Sequence, residues 1–268
     1  MVSMRFPPIA LIFGPFDPTG AGSLPADAVT LAQAGVHALS ALTASLVCDS
    51  AGTEELHPVS PDFLNEQARC LLEDMPVKAL KVGPLYSIES ISVVAQIVSD
   101  YPKLPLVLQL SRQNYASLAD ELSEEEMQFA TLELLLPLAD LVVIQHAALT
   151  HWALDDDRLA PGTPQLFLKH GASHTLTVNA PLGTSERGYV LHGKTGPHKQ
   201  WAHPDLPSRL LDSDGLLASL ITAEFAKEYS LEDAINNALQ AMHRALQQTF
   251  QPGMGHLFFN RTLETTLL

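Results

Sequence analysis

Along the chain, short unbroken apolar runs alternate with longer stretches whose apolar side chains recur at helical spacing. Residues 9–13 form such a run and stop at Gly14, the pattern of a strand buried on both faces, and residues 24–33 beyond it have helical composition. Residues 38–47 are apolar and rich in Leu, Ala and Thr, and residues 61–75 set Phe63, Leu64, Ala68, Leu71 and Leu72 at helical spacing. The pattern then predicts a short strand at 79–82, a helix at 88–98, a buried strand at 105–110, a helix with an acidic outer face at 121–136 and another buried strand at 141–144. Shorter strands with Gly-rich turns are expected at 164–169, 174–178 and 187–191, and helices at 215–228 and 231–250 close the chain.

Buried strands alternating with helices imply an α/β fold, a central mostly parallel sheet with helices on both faces and right-handed crossovers. Ligands of such sheets gather at the carboxyl ends of the strands. No linker or composition break divides residues 1–268, which are read as a single domain, and no internal repeat appears.

Composition narrows the function. Fifteen Lys and Arg against thirty Asp and Glu give a net charge of −15, which disfavours nucleic acid and basic membrane-surface binding and leaves small molecules or protein partners. Cys48 and Cys70 cannot supply a disulfide framework, so a reducing compartment, the cytoplasm, is expected. The apolar start of the chain runs into Gly14-Pro15 and Asp17-Pro18 without a cleavage pattern and does not read as a signal peptide. Pro137 and the charges of Glu133 and Asp140 interrupt the most hydrophobic later region, short of the ~20 residues of a membrane span. His192, His198 and His203 lack the spacing of a zinc site, so no metal site is assigned to them.

The loop Asp17-Pro18-Thr19-Gly20-Ala21-Gly22 lies between the first strand and its helix, where small residues let backbone N–H groups approach a ligand. The same residues also suit a tight turn closed by its own Asp, with no ligand. Six stretches occur in one order: Arg5-Phe6-Pro7-Pro8, Asp17-Pro18-Thr19-Gly20, Ala26-Asp27 with Thr30-Leu31, Leu72-Glu73-Asp74-Met75-Pro76-Val77, Lys81-Val82-Gly83 and Pro252-Gly253-Met254-Gly255. Together they make the chain resemble the hydroxymethylpyrimidine/phosphomethylpyrimidine kinases of thiamine biosynthesis, members of the ribokinase superfamily. The resemblance spans almost the whole chain and is strongest over residues 5–110. It implies a ribokinase-like fold, ATP and Mg²⁺ as cofactors, phosphoryl transfer to a hydroxymethylpyrimidine and its monophosphate, and association as a dimer.

It also implies where the working parts should lie. The family's phosphoryl cradle is a Gly-Ser/Thr-Gly turn at a helix N-terminus followed by a catalytic Cys, and the matching stretch is Leu211-Asp212-Ser213-Asp214-Gly215. Only Ser213 is retained; both glycines are aspartates, and the catalytic position is Gly215. A like-charge contact at ~4 Å costs about 4 kcal/mol at an effective dielectric near 20, roughly a thousandfold in affinity. Asp212 or Asp214 is read as the cap of the following helix; a one-residue slip would instead make Asp214 the catalytic base.

Elsewhere the family's acidic residue after the fifth strand is matched by Gln109, and its Thr-Pro-Asn with a later Glu by Ile144-Gln145-His146 and Leu149. The pyrimidine-contacting Gln is matched by Cys48, a Met by Pro84, and the Gly-Ser after strand one, past Gly14, by Pro15-Phe16, with Phe16 expected to crowd the pocket floor. Asp27 matches a residue near the pyrimidine, and Lys169-His170-Gly171 a turn near the nucleotide. The helix before the strand at 164 is trimmed to 155–162. Expected substrate contacts are therefore Gly14, Asp27, Cys48 and Pro84, and expected nucleotide contacts Lys169, Gly171 and Ser213. Joint replacement of cradle, metal residues, catalytic position and substrate contacts points to a catalytically impaired relative that binds a small molecule or a protein. The alternatives are an active kinase using Asp214 as base, and a non-catalytic subunit paired with an active relative.

Overall fold

The computed structural model describes residues 6–111, 124–152, 163–203 and 206–261. In chain order its elements are β1 (Ile9–Phe16), α1 (Ser23–Gln33), β2 (His37–Cys48), β3 (Thr53–Pro58), α2 (Pro61–Asp74), β4 (Val77–Val82), α3 (Ile88–Asp100), β5 (Leu106–Leu110), α4 (Glu124–Ala130), β6 (Leu141–Gln145), α5 (Gln165–Lys169), β7 (His174–Pro181), β8 (Arg187–Gly193), β9 (Gly196–His203), α6 (Ser213–Ala226) and α7 (Leu231–Leu246), followed by the two-residue strands β10 (Thr249–Phe250) and β11 (Phe258–Phe259). Arg5, residues 121–123 of the acidic helix, and the trimmed segment 155–162 with Asp155-Asp156-Asp157 lie outside the described residues.

The apolar runs become strands because each is covered twice. The nine strands follow the order β3-β2-β1-β4-β5-β6-β7-β8-β9, and those from β2 through β7 are parallel to their neighbours. Strand β3 at one edge, and β8 and β9 at the other end of the sheet, run antiparallel. One face is packed by α2, α3, α4 and α5 around Leu64, Ile91, Leu132 and Phe167. The other is packed by α1, α6 and α7 around Leu31, Leu217, Ile221 and Ile235. Helix α6 lies between the sheet and α7 and is buried along nearly its whole length, so it is apolar on all sides rather than along one stripe. Among the described residues no helix is long and apolar enough to cross a membrane.

Four elements depart from the sequence pattern. Residues 164–169 are helical, not a strand; Leu166 and Phe167 enter the core from the short helix α5, and so brief an apolar run has no period that separates helix from strand. The 121–136 helix ends as a helix at Ala130, then loosens into a π turn (Thr131–Leu135) and tightens into a 3-10 turn (Leu136–Leu138), where Pro137 brings no N–H to an α-helical ladder. Strands β3 and β9 escape the pattern: β3 is almost wholly exposed, and β9 (GPHKQWAH) is mostly polar, with no apolar run.

Beneath the start of α6 sits a buried ion pair. Lys81 of β4 is inaccessible to solvent, and its Nζ lies 2.5 Å from Asp27 Oδ2 of α1. Asp27 Oδ1 accepts a 2.6 Å hydrogen bond from Ser219 Oγ of α6. The pair thus joins sheet, α1 and α6 through three groups that water does not reach. Lys81→Met keeps the volume and strands the carboxylate, so it is expected to cost roughly 3–5 kcal/mol in urea unfolding; Lys81→Met with Asp27→Asn should recover most of that loss.

Candidate functional site

The chain leaves β1 toward β2 on one side and returns to β4 on the other, so the strand order reverses between β1 and β4 and the loops at their carboxyl ends diverge. A cavity of about 400 Å³ opens there, with Asp17, Cys48, Tyr86, Gln109, Gln145 and Asp214 on its wall. Each follows or ends a parallel strand, except Asp214 in the first turn of α6.

The β1–α1 loop closes on its own aspartate. Asp17 Oδ1 accepts from Thr19 N (2.8 Å) and Thr19 Oγ1 (2.7 Å), and Oδ2 accepts from Gly22 N (3.1 Å). That is a tight turn closed by its own aspartate. The Cys48 thiol donates to Asp17 Oδ1 at 3.2 Å. Burial, then the hydrogen bond to Asp17 and its charge, push that thiol up to about 12, so it stays protonated and is a poor nucleophile at neutral pH. Burial, then Asp17 and Cys48, also raise the Tyr86 hydroxyl.

At the start of α6 the backbone of Asp212 is left-handed, φ +59°, and its side chain makes no capping hydrogen bond. The capping reading is therefore corrected for Asp212. Its Oδ2 meets Arg261 Nη2 at 2.8 Å, and its Oδ1 accepts from Gln109 Nε2 at 3.4 Å. Arg261 is fixed further by Nη1 to Ala21 O (2.6 Å) and Nε to Thr30 Oγ1 (3.1 Å). Asp214, buried, accepts from Gln109 Nε2 (3.1 Å) and Gln145 Nε2 (2.9 Å), and Gln145 Nε2 also reaches Ser213 Oγ at 3.0 Å. The Asp212 carboxylate fills the wedge between two glycines: a methyl group on Gly215 would overlap Asp212 Oδ1, and one on Gly22 would lie 3.1 Å from its Cγ. Burial raises the Asp212 acid to about 7; Arg261 and Lys81 oppose the shift, and Asp27 and Asp214 add to it.

The loop carrying Asp212 is strapped from the far end of the chain. Leu211 N donates to Leu257 O (3.0 Å) and Leu257 N to Arg209 O (2.9 Å), while His256 N and Gly255 N bond Ser50 of the β2–β3 turn at 2.7 and 3.2 Å.

Of the residues singled out from sequence, Cys48, Pro84 and Asp214 line the cavity. Ser213 is buried and reaches that wall through its bond to Gln145, and Gly215 lies under the Asp212 carboxylate. Gly14 is enclosed within β1 beside Leu24, and Asp27 is held in the ion pair with Lys81; neither is on the cavity wall. Lys169 and Gly171 are corrected as nucleotide contacts. They precede β7, and Gly171, φ +109°, is pressed against Pro137 ahead of β6, so both lie at the amino ends of the strands, opposite the cavity. The bend at the carboxyl end of β7 is formed by Asn179, φ +58°. Phe16 is also corrected: it is half exposed and off the cavity wall. Arg261 was not singled out, nor were Gln109 and Gln145 as donors to Asp214, because separations of 49 to 105 residues leave no local pattern. Among the described residues no three His, Cys, Asp or Glu side chains gather as metal ligands; His203 stacks on Tyr189, with ring centroids 4.7 Å apart.

Comparison with known proteins agrees with this architecture. The chain is 26% identical over 248 residues to the hydroxymethylpyrimidine/phosphomethylpyrimidine kinase of Haemophilus influenzae, covering 90% of this chain and 91% of that one. The Bacillus subtilis enzyme of the same name is 25% identical, covering 92% of each chain. Among solved structures, the ADP complex of Bacillus subtilis pyridoxal kinase superposes with a TM-score of 0.79 at 19% identity, covering 94% of this chain and 96% of that one. Phosphomethylpyrimidine kinase from Clostridium difficile superposes with a TM-score of 0.69 at 20% identity, covering 88% and 100%. These structural likenesses carry the ribokinase-like fold, and the family model for phosphomethylpyrimidine kinase matches residues 17–260: the chain belongs to the phosphomethylpyrimidine kinase family.

Proposed function

We propose that this chain is a family member that no longer transfers phosphoryl groups and keeps the cavity at the carboxyl ends of its strands as a small-molecule site. The observation that supports this most directly is the Asp212 carboxylate in the wedge between Gly22 and Gly215, tied to Arg261. An anion arriving at the start of α6 needs bare backbone N–H groups and empty space there. Here the space is taken by a negative group that already holds the nearby guanidinium.

The relatives' kinase names bring ATP and Mg²⁺ into question for this chain, and the residues present do not fit them. Gly215 offers no side chain for chemistry at the position that the family resemblance makes catalytic. Gln109 and Gln145 are neutral amides whose N–H groups point at Asp214, so they present hydrogens where Mg²⁺ demands oxygen. The second reading, an active kinase with Asp214 as base, draws on the place of Asp214 in the cavity wall. Against it, both carboxylate oxygens of Asp214 already accept amide hydrogens.

Purified protein with Mg-ATP and hydroxymethylpyrimidine or its monophosphate is expected to turn over well below the ~1 per second of ordinary enzymes, and ADP is expected to leave the melting temperature unchanged. Turnover at that rate, abolished by Asp214→Asn, would establish the second reading instead. Overlap at α6 has its own signature. Gly215→Ala is expected to destabilise the protein by about 1–3 kcal/mol in urea unfolding, whereas in an Asp212→Gly background the same change should cost nothing, a coupling of about 0.5–3 kcal/mol.

The raised acid of Asp212 sets a pH dependence. Its folded value, about 7, lies above the 3.8 of an ordinary Asp, so the folded state holds this proton more tightly than the unfolded chain. The contribution to stability is complete below 3.8 and is lost as pH rises through about 7. Wild-type melting temperature should therefore fall between pH 5 and 8 more steeply than that of Asp212→Asn, in parallel thermal scans.

A further inference from the structure

We infer a second ligand site on the helical face of the molecule: a groove between α6 and α7, bounded by the end of α1, that takes a small carboxylate carried on an unbranched apolar chain. The groove shares no lining residue with the cavity at the carboxyl ends of the strands, so the site stands whether or not the chain transfers phosphoryl groups.

Its shape follows from the way two helices meet. Residues 227–230 join α6 to α7 so briefly that the two are antiparallel neighbours, and Asn237 Nδ2 donates to Glu224 Oε2 at 2.8 Å across the seam. Leu216, Leu220 and Glu224 recur along one side of α6, and Ala238, Ala241 and Ala245 along the facing side of α7. The methyl side chains keep the surface of α7 low, and the hollow left beside the two leucines measures about 380 Å³. From Leu216 to Glu224 the helix rises about 12 Å, which matches an extended chain of roughly eight carbons.

The two ends of the groove differ in charge. At the lower end Glu224, the one carboxylate in the wall among the described residues, has both oxygens engaged, Oε1 by Lys227 Nζ (2.6 Å) and Oε2 by Asn237. That end is neutral. Arg244 of α7 and Arg261 mark the other end. The Arg261 guanidinium is committed to Asp212, Ala21 O and Thr30. That of Arg244 is exposed and makes no hydrogen bond or ion pair among the described residues. One unspent positive charge therefore stands at the end of an apolar trough, in a chain whose net charge is −15.

A guanidinium presents a planar fork of N–H groups that fits a carboxylate through two parallel hydrogen bonds. The chain behind the carboxylate covers Leu216, Leu220 and the alanines and removes their surface from water. An amine on the same chain meets Arg244 with like charge, and a carboxylate without a chain leaves the trough wet.

Octanoate, octanamide and octylamine share a chain and differ in the charge of the head group, and acetate supplies the head alone. Titration calorimetry at 20 and 200 mM NaCl is expected to show one saturable site for octanoate, with no saturable binding of acetate. Octanoate should bind about fivefold more tightly than octanamide or octylamine, an advantage that shrinks at the higher salt. The overall negative charge opposes octanoate, so a preference for it reports the local guanidinium. Arg244→Gln, an exposed change, should lower octanoate affinity about fivefold and leave octanamide unaltered. Ala241→Leu, at a part-buried position, fills the trough and should weaken octanoate and octanamide alike by roughly tenfold. Lys103→Gln, the same charge change at the amino end of β5, should alter nothing. Thermal melts followed by circular dichroism check that each variant is folded, and Arg244→Gln, which changes no packed atom, decides alone if Ala241→Leu is not. Octylamine or acetate binding as well as octanoate, octanoate affinity unchanged in a folded Arg244→Gln or Ala241→Leu protein, equal effects of Arg244→Gln and Lys103→Gln, or no binding of any probe would each overturn the inference. Phosphoryl transfer from Mg-ATP would sink the reading of the cavity and leave this one standing.

Discussion

A carboxylate and a guanidinium, brought together from opposite sides of a helix N-terminus, organise the functional end of this molecule. Asp212 takes a left-handed backbone to enter α6, and its side chain occupies space that a methyl group on Gly215 would overlap and one on Gly22 would crowd. Arg261 then reaches the carboxylate while holding Ala21 O and Thr30 of the first loop and helix. Without the guanidinium, a negative group beside Asp214 and Asp27 would lose its ion-pair partner in a buried place, which is unfavourable. The start of α6, the β1–α1 loop and the tail are thus held in one arrangement by the need to neutralise a single charge.

The polar groups around that pair follow from it. Two carboxylates, Asp212 and Asp214, stand close enough to repel, and the amides of Gln109 and Gln145 relieve this by turning both N–H₂ groups toward them. An Asp at either strand end would add a further negative charge to the same small volume. The residues are thus physically matched: aspartates in the α6 turn and neutral amides at the ends of β5 and β6 suit each other.

Much of the fold was legible because burial on both faces writes itself as unbroken apolar runs, as at β1, β5 and β6. The short helix α5 was misread because Leu166-Phe167-Leu168 carries no usable period, and β3 and β9 were missed because edge strands here have polar or exposed faces. At the site, the Asp17 turn and the Asp212-Ser213-Asp214-Gly215 stretch stand out in a single line of sequence. What sequence could not supply was direction. Nothing local distinguishes an Asp that caps a helix from one that folds back over it toward an Arg 49 residues away, or shows that Lys169 and Gly171 end up at the amino edge of the sheet.

The strap formed by residues 251–257 and continued to Arg261 has a consequence for how the molecule comes into being. One wall of the cavity comes from the loop after the first strand and its brace from the last described residue. On the ribosome, the Asp212 carboxyl group emerges well before the guanidinium that offsets it, and the β2–β3 turn waits longer still for Gly255 and His256. The nascent chain can assemble most of its sheet early, but the cavity end closes only once Arg261 has emerged.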